Sequence, residues 1–134
     1  MMLKRMCGGQ DPINSSPDKL AIKGYDPVTY FTEGKLVKGY PNLRQEWMGA
    51  IWRFSSKKNR ELFIADPEKY SPQYGGYCAY GISLGKFFSG DPSLWTVKEG
   101  KLYLQLNQDI EKIWKENVQS YIKKADIEWP KLMA

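Results

Sequence analysis

The sequence predicts a small α+β domain: a small antiparallel sheet from two hairpins, packed with three or more helices. Three observations carry that prediction. Trp95 to Leu104 alternates apolar and polar residues about Glu99-Gly100, a hairpin signal. Arg44 to Phe54 reads as a second hairpin about Gly49-Ala50. From Asn107 onward, Ile110, Ile113, Trp114, Val118, Tyr121, Ile122 and Ala125 recur at helical spacing with charges between them.

Taken in order, residues 1–18 are rich in Gly, Pro, Asn, Ser and Asp and read as a mobile tail, with the folded domain spanning 19–132. Asp26-Pro27 is an N-cap followed by proline at the first helical position, so a short helix begins there and Gly34 closes it. Val28, Tyr30 and Phe31 are its buried side chains. In the first hairpin a glycine-first turn at Gly49-Ala50 sets Trp47 opposite Trp52 and Glu46 opposite Arg53. Ser56 caps a helix over Lys57 to Ala65 with Leu62 and Phe63 inward, and Asp66-Pro67 ends it. Pro67 to Tyr70 makes one turn. In the second hairpin Val97 faces Leu102 and Trp95 faces Leu104, all four on the core face. Asn107 caps the last helical stretch, Asn117 or Ser120 divides it, and Trp129-Pro130 ends it.

The bulk composition bounds the function. A chain of 134 residues with 42% hydrophobic, 14% aromatic and 26% charged residues suits one soluble domain whose core is built on rings. Its net charge of +5 is dispersed, which speaks against nucleic acid as a partner. With no histidine, Ser-His-Asp and Cys-His catalysis and histidine-ligated haem or zinc are excluded. Two distant thiols, Cys7 and Cys78, suit a reducing compartment. No transmembrane segment and no export signal is apparent, so the expected location is cytoplasmic, or periplasmic if the start is truncated. No internal repeat is apparent.

The stretch Tyr70 to Gly85 holds no acid or base except tyrosines and Cys78, so it is expected to be buried. The bend Gly75-Gly76 aims Cys78 at the first turn of a short helix over Tyr77 to Leu84. Backbone N–H groups and the helix dipole there favour a thiolate. The alternative is that Cys78 is a small apolar packing residue among tyrosines.

Gly24-Tyr25-Asp26-Pro27-Val28, Ile51 to Ser56, Leu62 to Tyr70 and Gly75 to Gly81 together resemble the YHS-domain family, in its single-domain bacterial branch. The resemblance covers about residues 20 to 132. It implies a metal-handling module, such as those appended to heavy-metal transporters, with thiol ligands at positions that here hold Thr29, Ser55 and Asn59. Soft-metal binding needs thiolate or imidazole, so that site does not carry over. Members of the branch with selenocysteine at the position matching Cys78 imply chemistry at that residue.

Three readings follow. The first is a non-enzymatic binding or sensing module for a transition-metal ion or small ligand, centred on Cys78 with Tyr74, Tyr77 and Tyr80, to which a protein partner adds ligands. The second is a thiol redox protein using Cys78. The third is a structural or protein-interaction domain.

Overall fold

The computed structural model describes residues 11–134 and has the α+β architecture that the hairpin and helix patterns predict. A left-handed turn, Ile22–Gly24, leads to α1 (Thr29–Thr32), the hairpin β1 (Tyr40–Trp47) and β2 (Ala50–Phe54), α2 (Lys57–Ala65) and α3 (Pro67–Tyr70). A second left-handed turn, within Gln73–Gly76, leads to α4 (Ala79–Ser83), the hairpin β3 (Asp91–Lys98) and β4 (Lys101–Gln105), α5 (Gln108–Glu116) and α6 (Val118–Met133). Each hairpin is its own two-stranded antiparallel sheet.

Those two lists are the same list. Contrary to the reading of the bare sequence, the chain contains an internal repeat, and from the hairpins onward its elements recur at one spacing, with the turn at the head of each copy one residue out of step. β1 and β2 match β3 and β4 residue for residue, down to a register irregularity between Tyr40 and Arg44 that returns between Asp91 and Trp95. Both hairpins turn on two residues with positive φ, Met48-Gly49 (54° and 76°) and Glu99-Gly100 (52° and 76°). That geometry matches the twist of the flanking strands. Ser56 caps α2 by accepting from the Asn59 N–H, and Asn107 caps α5 by accepting from the Ile110 N–H. Extended breaks at Asp66 and Asn117 follow each of these helices. At the head of each copy, three successive residues have positive φ: Ile22, Lys23 and Gly24 at 40°, 52° and 82°, then Tyr74, Gly75 and Gly76 at 57°, 63° and 86°. Tyrosine follows both turns, and the next residue, Asp26 or Cys78, donates its backbone N–H over 2.8 Å to the equivalent carbonyl, of Val37 or Phe88.

The copies share one body. The first core gathers Val28, Trp52, Phe54, Phe63 and Tyr70, and reaches into the second copy for Leu102 and Leu104. A second core gathers Tyr74, Tyr77, Ile82, Tyr103, Trp114 and Ala125. β4 is therefore buried on both faces, Leu102 and Leu104 on one and Tyr103 on the other. The Tyr30 ring meets Trp95 edge-on at 5.2 Å and its hydroxyl donates to the Pro92 carbonyl at 2.8 Å, a further tie between copies.

Four expectations are corrected. The first hairpin turns on Met48-Gly49, which pairs Trp47 with Ala50, Gln45 with Trp52 and Arg44 with Arg53. This register differs by two residues from the expected one, and a shift of two preserves the faces. Trp47 and Trp52 therefore still touch, diagonally, with ring centroids 5.9 Å apart. Val97 has the expected partner but lies near the turn, where the strand overruns the core and leaves it exposed. Pro130 does not end α6, because Trp129 and Leu132 pack on the second core and hold the last turn. The described part of the expected tail is anchored: Ile13 is buried and the Asn14 N–H donates to the Gly75 carbonyl at 2.8 Å. Cys7 lies outside the described residues.

Candidate functional site

Tyr70 to Gly85 winds between the two cores, and the left-handed bend Tyr74–Gly76 fixes where its side chains go. A Cβ on Gly75 would lie 1.9 Å from the Pro12 carbonyl oxygen, so only glycine lets residues 11–14 strap across the bend. The strap is tied at three points. Asn14 donates through its backbone to Gly75, and its side-chain Nδ2 donates to Ser89 Oγ at 3.0 Å. The Tyr77 hydroxyl donates to the Asp11 carbonyl at 2.9 Å.

The three tyrosines that the sequence grouped with Cys78 share the second core, Tyr74 and Tyr77 both against Trp129, but each takes a further partner of its own. Tyr74, held at positive φ, crosses to α6 and donates its hydroxyl to Asp126 Oδ1 at 2.7 Å. Burial and that carboxylate push its pKa well above the ordinary tyrosine value. Tyr77 is edge-on to Phe87 at 5.1 Å, and burial pushes its hydroxyl up to about 12. Tyr80 turns away to meet Tyr121 at 5.1 Å.

Cys78 has no solvent exposure. Burial pushes its thiol above the ordinary cysteine value, although the N–H groups of Gly81, Leu106 and Tyr80 face the sulfur and favour its charged form. Desolvation prevails, and the neutral thiol donates weakly to Gln105 Oε1 over 3.5 Å. The same oxygen accepts the Tyr80 N–H at 3.2 Å, while Gln105 Nε2 is buried with no partner. Placed as expected at the start of a short helix, Cys78 thus stands at the N-cap position of α4, with no side-chain cap and fully buried.

Sequence reading passed over a buried carboxylate. Asp26, also without exposure, accepts the Val28 N–H on Oδ1 at 2.8 Å. Its Oδ2 takes the Ser55 N–H and hydroxyl, both at 2.7 Å, and Asn59 Nδ2 at 2.9 Å. The Thr29 hydroxyl donates to the Asp26 carbonyl at 3.2 Å. Thr29, Ser55 and Asn59 thus converge around one aspartate. Their chemistry is that of a satisfied anion rather than a soft-metal site. Among the described residues no group of three or more His, Cys, Asp or Glu side chains is placed to hold a metal ion. The signal that would have found this hub is the spacing of the repeat, since Asp26 stands where Cys78 stands in the second copy.

One feature open to a ligand is a groove of about 570 Å³ between the strapped bend and α6. Trp47 and Met48 from the first hairpin, Tyr74, Trp129 and Met133 supply its apolar walls; Asp126, Glu68 and Lys101 supply charge. Gly75 lines it as well, whereas Cys78, Tyr77 and Tyr80 do not. Among the described residues no helix is long and apolar enough to cross a membrane. Comparison with known proteins gives no match to a family model, a curated protein or a solved structure.

Proposed function

We propose that this protein is a non-enzymatic binding module whose groove beside Tyr74 takes a small organic cation carrying an aromatic or aliphatic body. The observation that carries the reading is Tyr74 itself. A non-glycine residue held at positive φ is strained unless the surroundings over-determine it. Here the strain sets a ring and hydroxyl against Asp126 on the wall of the groove. Trp47 and Trp129 line it, and indole rings are the side chains best suited to attract a cation, while Asp126 and Glu68 outnumber Lys101 among the charged groups lining it. Apolar walls with a few convergent polar groups are the ordinary composition of a small-ligand site. Cys78 enters this reading as a packing residue behind the site, since its thiol is buried and held neutral.

The test is a titration of intrinsic tryptophan fluorescence with benzylammonium, using benzoate as the control of opposite charge. Saturable quenching by the ammonium but not the carboxylate is expected, with loss of at least tenfold in affinity in Asp126→Asn and Trp129→Ala. Equal responses to both probes, or none to either, would remove the reading.

A further inference from the structure

We propose that Cys78 is an oxidation site whose stable product is the sulfinate, received by a set of donors that the first copy uses to hold a carboxylate. Asp26 and Cys78 are equivalent residues of the repeat: each follows a left-handed turn and a tyrosine, bonds its N–H to the equivalent carbonyl and sits fully buried ahead of a short helix, Asp26 two residues before the N-cap Val28 and Cys78 at the N-cap itself. Their donors correspond as well. Asp26 takes the N–H groups of Val28 and Ser55, and the matching N–H groups, of Tyr80 and Leu106, face the Cys78 sulfur together with that of Gly81.

A sulfinate matches an aspartate side chain in connectivity and charge, two oxygens sharing one negative charge on the atom bonded to Cβ, although it is pyramidal at sulfur where the carboxylate is planar. The thiol, a weak acceptor, makes little use of the Gly81 and Leu106 N–H groups, and that of Tyr80 goes to Gln105 Oε1. Gln105, 1% exposed, turns its amide to the sulfur, with Oε1 at 3.5 Å and Nε2 lacking any acceptor. Turning that amide over by half a turn would bring Nε2 to one sulfinate oxygen and release the Tyr80 N–H from Oε1 to another, as the Val28 N–H meets the Asp26 carboxylate. The inference does not rest on the groove.

The oxidant is a hydroperoxide. In the first step the sulfur attacks the distal peroxide oxygen, the O–O bond breaks, the thiol proton leaves with the departing alkoxide or hydroxide, and a sulfenic acid forms. A second peroxide transfers another oxygen in the same way, and the resulting sulfinic acid releases its proton to solvent. Sulfur loses two electrons at each step and each peroxide gains two. Because the sulfur is sealed, both steps proceed through local opening of the short helix α4.

The experiment uses the full chain carrying Cys7→Ser, treated with hydrogen peroxide, with peptide mapping to separate Cys78 from the five methionines. Expected is a product about 32 Da heavier at Cys78 that stops there and melts at or above the untreated midpoint. Passage straight to the sulfonate, or a Cys78 that stays reduced until the protein unfolds, would overturn the proposal. In parallel, Cys78→Asp is compared with Cys78→Ala. The aspartate variant is expected to fold with the higher midpoint of the two; a lower midpoint, or an alanine variant that folds where the aspartate variant does not, counts against an anion-accepting site.

Discussion

Replacing Gly75 with alanine isolates the contact between the strap and the left-handed bend. Two costs arise. The first is conformational: alanine at φ 63° sits in the left-handed region, at about 1 to 2 kcal/mol. The equivalent position in the first copy is Lys23 at φ 52°, so the backbone shape alone does not require glycine. The second cost is steric. The new Cβ would meet the Pro12 carbonyl oxygen at 1.9 Å and its carbon at 2.9 Å, so the strap must lift by an ångström or more. Lifting it puts at risk the bond from the Asn14 N–H to the Gly75 carbonyl, worth about 1 kcal/mol, and the burial of Ile13, worth about 1.5 to 3 kcal/mol. Gly75→Ala is therefore expected to lose roughly 3.5 to 6 kcal/mol if the strap lifts fully. Gly100→Ala is the control, because its φ is 76° with no atom within 4 Å of the new Cβ. It carries only the conformational cost, roughly 1 to 2 kcal/mol. Urea unfolding followed by tryptophan fluorescence measures both at once. Equal losses in the two variants would refute the claim that residues 11–14 are held against the bend.

Asp26→Asn presents an NH₂ group where donors converge, and roughly 3 kcal/mol should be lost, more than for Asn59→Ala, which removes one of the four donors; a loss under about 1 kcal/mol in the same urea assay would contradict the hub. Tyr74→Phe removes a hydrogen bond to a carboxylate, worth about 1.5 to 3 kcal/mol, yet leaves Asp126 free for a cation, so stability should fall while benzylammonium affinity is retained. Loss of both would show that the hydroxyl itself is needed in the groove. Alkaline pH should destabilise the fold. Burial raises the folded-state pKa of Cys78, and those of Tyr77 and Tyr103 to about 12, so the unfolded chain releases protons first. The stability these groups contribute is whole below the ordinary thiol and tyrosine pKa values and declines as pH rises toward about 12. Urea midpoints that stay flat from pH 8 to 11 would deny it.

Local chemistry was legible in the sequence wherever one residue type decides a conformation. Ser56 and Asn107 cap the helices they appear to cap, and Glu99-Gly100 makes the expected turn. The first hairpin was misregistered because Gly49 fits either of two tight turns, and the one formed is Met48-Gly49, with Trp47 paired to Ala50. Tyr74, Tyr77 and Tyr80 looked like one cluster because they are close in sequence. Three positive φ values and a short helix send their rings to Asp126, Phe87 and Tyr121 instead. The repeat was hidden because few positions are identical. Gly34, Lys35, Gly39, Pro41, Leu43, Gly49 and Tyr70 return as Gly85, Lys86, Gly90, Pro92, Leu94, Gly100 and Tyr121, while the core residues between them change size and chemistry. One residue more between Asp26 and Gly34 than between Cys78 and Gly85 shifts Gly24-Tyr25 out of step with the rest.

The shared glycines explain why the two copies keep one shape while their buried chemistry diverges. A Cβ on Gly39 would lie 2.5 Å from the backbone of Arg53, and one on Gly90 would lie 2.8 Å from Cβ of Leu104, the residue equivalent to Arg53. The same close approach of loop to strand is therefore built twice, and it fixes where the residue after each Gly-Tyr pair points. With that geometry set by backbone, side chains around the pocket can change together. Asp26 takes Ser55 and Asn59 as donors beside an apolar Phe54; Cys78 has Leu106 and Ile110 at the positions of Ser55 and Asn59, and Gln105 at that of Phe54. The capping of an N–H at the helix start, done by the Asp26 carboxylate for Val28, passes to the Gln105 amide for Tyr80. That transfer leaves the sulfur with the Gly81 and Leu106 N–H groups beside it and an amide nitrogen unpaired, partners that an anion at Cys78 would use and a neutral thiol uses little.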